Sequence, residues 1–240
     1  MQIEQSAFVL HSRPYRETSA LVTFFTMDYG KVNGVVRGVR GARKTSSQKA
    51  ALVQPFQQVT LQWREKPLNR SDLLSVQQIE TSPLRFPLQG EANICGLYIN
   101  ELLYRLLFPQ VATETLYQAY QQALYALLAA ENRQQQAWAL RQFEYQLLSE
   151  LGQGFVCDED IHQQPINAVA DYQYYPEHGA VLATEDMAQQ GILIKGDCLL
   201  AITEKRYCGD CLGQLKRLFR AVLSQYLGDK PIMTRELFSR

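Results

Sequence analysis

The apolar residues of this chain change their period once, and that change limits the folds open to it. Up to about residue 82 they fall in short runs of strand length, and beyond it they recur at helical spacing. "AFVLHS" and "ALVTFFT" are β-rich runs, the first followed by the Pro-containing turn "HSRPYRETS", and "KVNGVV" follows the turn "MDYG". "FQQVTLQW" alternates, with Val59, Leu61 and Trp63 on one face and Gln58, Thr60 and Gln62 on the other; "LLSVQQIE" is a fifth run. Five short strands in roughly eighty residues, with no helix-period segment among them, predict a small barrel.

"TSPLRFPLQG", with two prolines and a glycine, ends the strand region, and the domain boundary is placed there. Asn93 to Phe108 is apolar almost all round, which marks a buried helix, with Glu101 and Arg105 as an i,i+4 pair. Leu116, Tyr120, Ala123, Leu124 and Leu127 form the stripe of a second helix. Leu140, Phe143, Leu147 and Leu151 form that of a third, ended by Gly152. The last helix spans Leu212 to Leu227, with Leu215, Phe219, Val222, Leu223 and Tyr226 inward and Gly228 as its stop. Residues 153–204 read as irregular, with a hairpin at "YQYYPEHGAVLA". The expected class is α+β, a five-stranded barrel over 1–82 and a mainly α-helical domain over 83–240 that contains the irregular insertion.

The chain has 24 Lys and Arg against 24 Asp and Glu, a formal net charge of zero, but the charges are segregated. Residues 1–85 hold 12 basic and 6 acidic side chains, residues 86–204 hold 4 and 15, and residues 205–240 hold 8 and 3. Such asymmetry points to a polyanionic partner better than the whole-chain balance does. It peaks in "KVNGVVRGVRGARKTSSQKAAL", which carries Lys31, Arg37, Arg40, Arg43, Lys44 and Lys49, three glycines and no acid. A flexible cationic loop leaving a barrel strand can follow a phosphate backbone, its glycines allowing close main-chain approach. The plain alternative is a solvated surface loop. Phe24, Phe25, Phe56 and Trp63 are candidates for base stacking, although alternation places more of them in the core.

Five cysteines are an odd number, which favours reduced thiols. "CGDC", Cys208 to Cys211, admits a zinc reading with Cys157, Cys198, His162 or His178, and a thiol-redox reading. Zinc ribbons need two close pairs, whereas Cys157 and Cys198 are single and distant; the preferred reading is a helix cap with Asp210 near the N-terminus, and no metal. No Walker A loop, GxSxG or HExxH is present, and no enzyme or cofactor is expected. No apolar run reaches the ~18 residues that span a bilayer and no signal-peptide pattern opens the chain, so a cytoplasmic location is expected.

Four segments, in order, resemble the RecO family of bacterial recombination mediators. "AFVLHSRPYRETSALVTFFTMDYGKVNGVVRGVRGARK" is similar to the family's N-terminus, "GLYINELLYRLL" to its first long helix, "LRQFEYQLLSELG" to its third and "YLGDKPIMTRELF" to its C-terminal tail. The resemblance implies that the barrel is an OB-fold and that the protein has no intrinsic catalysis. It implies binding of single- and double-stranded DNA, annealing of complementary strands, and engagement of the acidic, apolar-ended tail of single-strand-binding protein (SSB). With RecR, such proteins help load the RecA recombinase. The Lys31–Leu52 stretch matches the family's DNA-contacting edge. In "LRQFE", Arg141 matches an arginine implicated in the SSB-tail pocket; the next position, often basic in relatives, is Gln142 here, and Glu144 at i+3 offers Arg141 a plain helix-surface partner. Many relatives carry four zinc-binding cysteines after this helix, where only Cys157 falls, so the segment 153–204 is expected to be a degenerate, metal-free version. Two other readings stay open: an adapter whose basic loop docks an acidic protein, and a zinc- or thiol-dependent enzyme using "CGDC".

Overall fold

A computed structural model describes residues 1–42, 44–64, 73–152, 155–184, 191–228 and 230–238. The chain folds into two compact units, Met1–Leu128 with Ile232–Arg240, and Ala129–Pro231.

The first unit opens with β1 (Gln2–Tyr15), β2 (Ser19–Thr26), β3 (Gly30–Val36), α1 (Lys44–Leu52), β4 (Gln58–Arg64) and β5 (Leu73–Thr81). The strands close a barrel in the order β1-β2-β3-β5-β4, with β4 returning to β1. Every pairing is antiparallel except β3 with β5, where Asn33–Val35 runs parallel to Leu73–Ser75. This is the expected OB barrel. Val22, Phe24, Val59 and Leu61 are fully buried in its core, and Trp63 nearly so. Phe25 and Phe56 are buried too, so all four aromatics weighed for base stacking are packing residues.

Two local expectations are corrected. The turn at "HSRPYRETS" begins later than Pro14, because β1 continues to Tyr15. Beyond Val9, β1 pairs with β2 alone, and a one-sided stretch of this kind is where a strand tolerates proline. The segment after β3 is not entirely loop either, since nine of its residues form α1. "KTSSQKAAL" has no apolar stripe and buries only Ser46, so helical period gave no signal there.

α2 (Gly90–Leu106) and α3 (Glu114–Ala129) follow. Phe8 and Phe25, paired on the outer face of β1 and β2, stack on Tyr117 and Tyr120 of α3 at 5.0 to 6.2 Å. The register of β1 slips between Val9 and His11, and the Leu10 carbonyl at that slip accepts from Asn100 Nδ2 at 2.8 Å. Tyr120 Oη donates to Asn100 Oδ1 at 2.7 Å, so the buried amide is satisfied on both sides.

The second unit contains α4 (Arg133–Glu150), β6 (Asp171–Tyr175), β7 (Gly179–Leu182), β8 (Ile192–Lys195), α5 (Gly196–Thr203) and α6 (Leu212–Leu227). β6 and β7 are the expected hairpin, but β8 joins it in a three-stranded sheet ordered β7-β6-β8, and α5 follows directly. The 153–204 stretch is therefore more regular than expected; strands of four or five residues are too short to register as a period. The chain ends in the first unit with α7 (Thr234–Leu237), whose Thr234 N–H and hydroxyl donate to Glu101 Oε2 on α2 at 2.9 and 2.8 Å. No described helix is long and apolar enough to cross a membrane.

Candidate nucleic-acid interface

The cations of the basic stretch divide into two groups. β3 leaves the barrel at Val36, and Arg37 and Arg40 then occupy a bend shaped by Gly38 (φ 70°) and Gly41 (φ 138°). Left-handed backbone of this kind suits glycine and no branched residue. Val39 between them is buried in the barrel core and fixes the bend. The Val39 and Arg40 amides both donate to the Thr18 carbonyl, at 2.9 and 3.2 Å, and Arg40 Nη1 donates to the Arg16 carbonyl at 3.3 Å. The β1–β2 turn is thus stitched to the bend, which brings Arg16 beside Arg40. Sequence reading missed Arg16, whose only signal was its place in an exposed turn; its guanidinium lies 5.2 Å from the Tyr15 ring centre.

α1 returns along the same rim. Lys49 Nζ comes within 3.9 Å of where a side chain at Gly38 would begin. Between Arg37 and Lys49 on one side and Ser75–Ile79 of β5 on the other lies a mainly polar cleft of about 360 Å³. Arg16, Arg37, Arg40, Lys44 and Lys49 are all exposed, and none forms a salt bridge with a described residue. Arg43 lies outside the described residues. Glu80, near the far end of the cleft, accepts from Gln78 Nε2 at 2.5 Å.

Lys31 belongs elsewhere. It sits at the start of β3, five residues before Val36 and about 17 Å from it at strand rise. Its side chain is buried, and Nζ donates to the Tyr104 carbonyl at 2.6 Å in the last turn of α2. It also lies 5.6 Å from the centre of the Tyr104 ring. A cation at a helix C-terminus satisfies an orphan carbonyl and the negative end of the dipole. Burial lowers the Lys31 pKa from its usual value. The structure does not bring Lys31 to the basic rim, and its membership of that group is corrected.

Arg141 is likewise engaged. It is 8 % exposed on α4, and Nη2 lies 2.6 Å from Oε1 of Glu144, which is 1 % exposed. Its guanidinium packs 5.9 Å from the centre of the Phe219 ring, and Nε has no hydrogen-bond partner among the described residues.

The cysteines fall into two settings. Cys157 is buried, burial followed by the Asp158 charge pushes its thiol pKa up, and it joins no group of possible metal ligands among the described residues. His162 and His178 are exposed, and neither joins a group of possible metal ligands among the described residues. The residues present do not fit a four-cysteine zinc site after α4. Cys211 does occupy the N-cap of α6, but its side chain makes no capping hydrogen bond. Its sulfur meets those of Cys208 and Cys198 instead.

Comparison with known proteins matches nearly the whole length of the chain. The family profile described as "Recombination protein O N terminal" matches residues 1–84, and "Recombination protein O C terminal" matches residues 87–236. The chain is 38% identical over 242 residues to the DNA repair protein RecO of Pseudoalteromonas atlantica, covering 100% of this chain and 96% of that one. It is 40% identical over 236 residues to the protein of that name from Nitrosococcus oceani, covering 97% and 91%. With the Pseudomonas paraeruginosa protein of the same name it shares 39% identity over 235 residues, covering 98% and 94%.

Proposed function

Because the chain belongs to the RecO family, we propose that it is a DNA repair and recombination protein that holds DNA along the basic rim of its OB barrel. The observation that carries the site is the rim itself: Arg16, Arg37, Arg40, Lys44 and Lys49 converge without a described acidic partner beside a polar cleft. Arg43, flanked by these residues in sequence, is included on its charge alone. Clustered like charges repel until a polyanion neutralises them, and counterions released from phosphates then drive binding. The rim offers guanidinium and ammonium groups to phosphates and few features that distinguish bases. Binding is therefore indifferent to sequence and serves single and double strands alike.

The finer activities rest on the family. We read the protein as a non-catalytic mediator that anneals complementary strands, binds the SSB tail, and acts with RecR to load RecA. In this reading the functional division follows the barrel over 1–82 and the helical domain over 83–240. Arg141 is the candidate cation for the tail's carboxylates. Since Glu144 already holds it, the tail must compete with an internal carboxylate, and its affinity through this residue is low.

Fluorescence anisotropy of a labelled oligonucleotide tests the central assignment. Replacing Arg37, Arg40, Lys44 and Lys49 together by alanine weakens binding to every sequence by a similar factor. Unchanged affinity in a folded variant would remove the rim as the interface. Failure of the unaltered protein to bind oligonucleotide, with retained binding to an acidic protein, would favour the adapter reading.

A further inference from the structure

We propose that Cys198, Cys208 and Cys211 form a binding site for one thiophilic cation, zinc foremost, held by three thiolates with the fourth position left to solvent. The three sulfurs lie within 4.8 Å of one another, although Cys198 is ten residues from Cys208 in sequence. Local structure explains the convergence. β8 runs directly into α5, so that Cys198 falls in the first turn of that helix. The Lys195 amide at the α5 N-cap donates to Gln214 Oε1 in the first turn of α6 at 2.9 Å, which ties the two helix starts together. After α5, the Arg206 amide donates to the Ala201 carbonyl at 2.9 Å and turns the chain back, bringing Cys208 to the Cys211 N-cap of α6.

The chemistry of this arrangement favours metal over a single disulfide. The Cys211 sulfur is in contact with both of its neighbours, and their Cα separations, 5.2 Å to Cys198 and 5.3 Å to Cys208, are nearly equal. One sulfur can join only one disulfide, so any such bond leaves a third thiol idle at the same point. A shared ion employs all three. Two helix N-termini deliver positive partial charge to the cluster, which favours thiolates. The first turn of α6 carries no acid, and the one acid in the first turn of α5, Asp197, is bound by Arg206 at 2.5 Å. Cys198 and Cys211 are each 2 % exposed while Cys208 is half-buried, so the cluster reaches water on the Cys208 side. Three sulfurs suit zinc or another soft cation, and an open face leaves room for a water as fourth ligand. Cys157 is not part of the cluster. This site is built from α5 and α6 and does not use the segment directly after α4.

Cobalt titration of the full chain, reduced and stripped of metal by chelator, tests the proposal. Co²⁺ is expected to develop thiolate charge-transfer absorption that saturates at one equivalent and is abolished by Zn²⁺. Cys208→Ser, at the half-buried position, is expected to lose the band and keep its circular dichroism; Cys157→Ser is expected to retain both. Independently of any variant, Zn²⁺ should slow alkylation of Cys208 in the unaltered protein. Absence of the band in the reduced protein, its persistence in Cys208→Ser, or alkylation unaffected by Zn²⁺ would each overturn the site. A disulfide at Cys211 that forms in air, with no metal bound after reduction, would leave a redox pair in its place.

Discussion

The rim of the barrel and the interior of the second unit both carry arginines from segments that resemble the same family, yet the two settings are opposite. Arg37 and Arg40 stand in water with their charges unmatched by any described carboxylate, held in place through backbone hydrogen bonds and the buried Val39. Arg141 is sunk on α4 with a carboxylate 2.6 Å away and an aromatic ring against it. An arginine whose charge is already answered inside the fold contributes to the fold. One whose charge is unanswered is available to a ligand. Lys31 makes the same point within the basic stretch itself, since one helix carbonyl engages it and separates it from the exposed cations of the rim.

Removing either partner of the buried pair gives the largest expected effect. Arg141→Ala leaves the Glu144 carboxylate buried without its guanidinium and is expected to lower unfolding free energy by about 3–5 kcal/mol. Replacing both residues by apolar ones, as in Arg141→Met with Glu144→Leu, should recover most of that loss. Urea unfolding of the two variants measures both; a loss below about 1 kcal/mol for Arg141→Ala would erase the contrast between the regions. It follows that loss of SSB-tail binding in Arg141→Ala is uninformative unless Arg141→Lys, which keeps the charge, is titrated beside it.

Lys31→Ala comes next, at about 1.5–3 kcal/mol for a lost charged hydrogen bond to the α2 terminus. Single alanine substitutions at Arg37, Arg40 or Lys49 should change stability by less than about 0.5 kcal/mol, as surface changes do. A larger loss at any of them would mean that the rim is structural after all.

The smallest effect concerns His11. Burial first, and the Arg13 charge second, hold its pKa below 6.5. The unfolded chain then binds a proton that the folded one refuses. Stability is full above pH 6.5 and declines as pH falls through that value towards the lower folded pKa. His11→Gln should flatten the decline, and Arg13→Gln should raise the His11 pKa in an NMR titration. Failure of Arg13→Gln to move it would mean that burial alone sets the value.

Long periodic elements were legible in the sequence. α6 occupies the residues its stripe marked, with Gly228 at a positive φ of 62° at its end, and the α3 stripe from Leu116 to Leu127 is buried as expected. Elements held by neighbours were not legible. α1 has no apolar face of its own, and β8 is four residues paired to one strand. At the sites, charge was legible and its environment was not. The six cations of one stretch look alike until Tyr104, 73 residues away, claims Lys31. Arg16 joins the rim only through hydrogen bonds from the bend after β3, and Cys198 joins the "CGDC" sulfurs only through the α5–α6 reversal.

The claim that unanswered charge marks the DNA interface is tested most directly by salt dependence. Oligonucleotide affinity is measured from low to moderate salt for the unaltered protein, for Lys31→Met, and for the Arg37, Arg40, Lys44, Lys49 alanine variant. Each phosphate contact removed from a single strand reduces the magnitude of the log K versus log salt slope by about 0.7. The four-residue variant should therefore lose roughly 3 from that slope, and Lys31→Met should lose nothing. Equal slopes for the four-residue variant and the unaltered protein, or a slope reduced by Lys31→Met, would contradict the account.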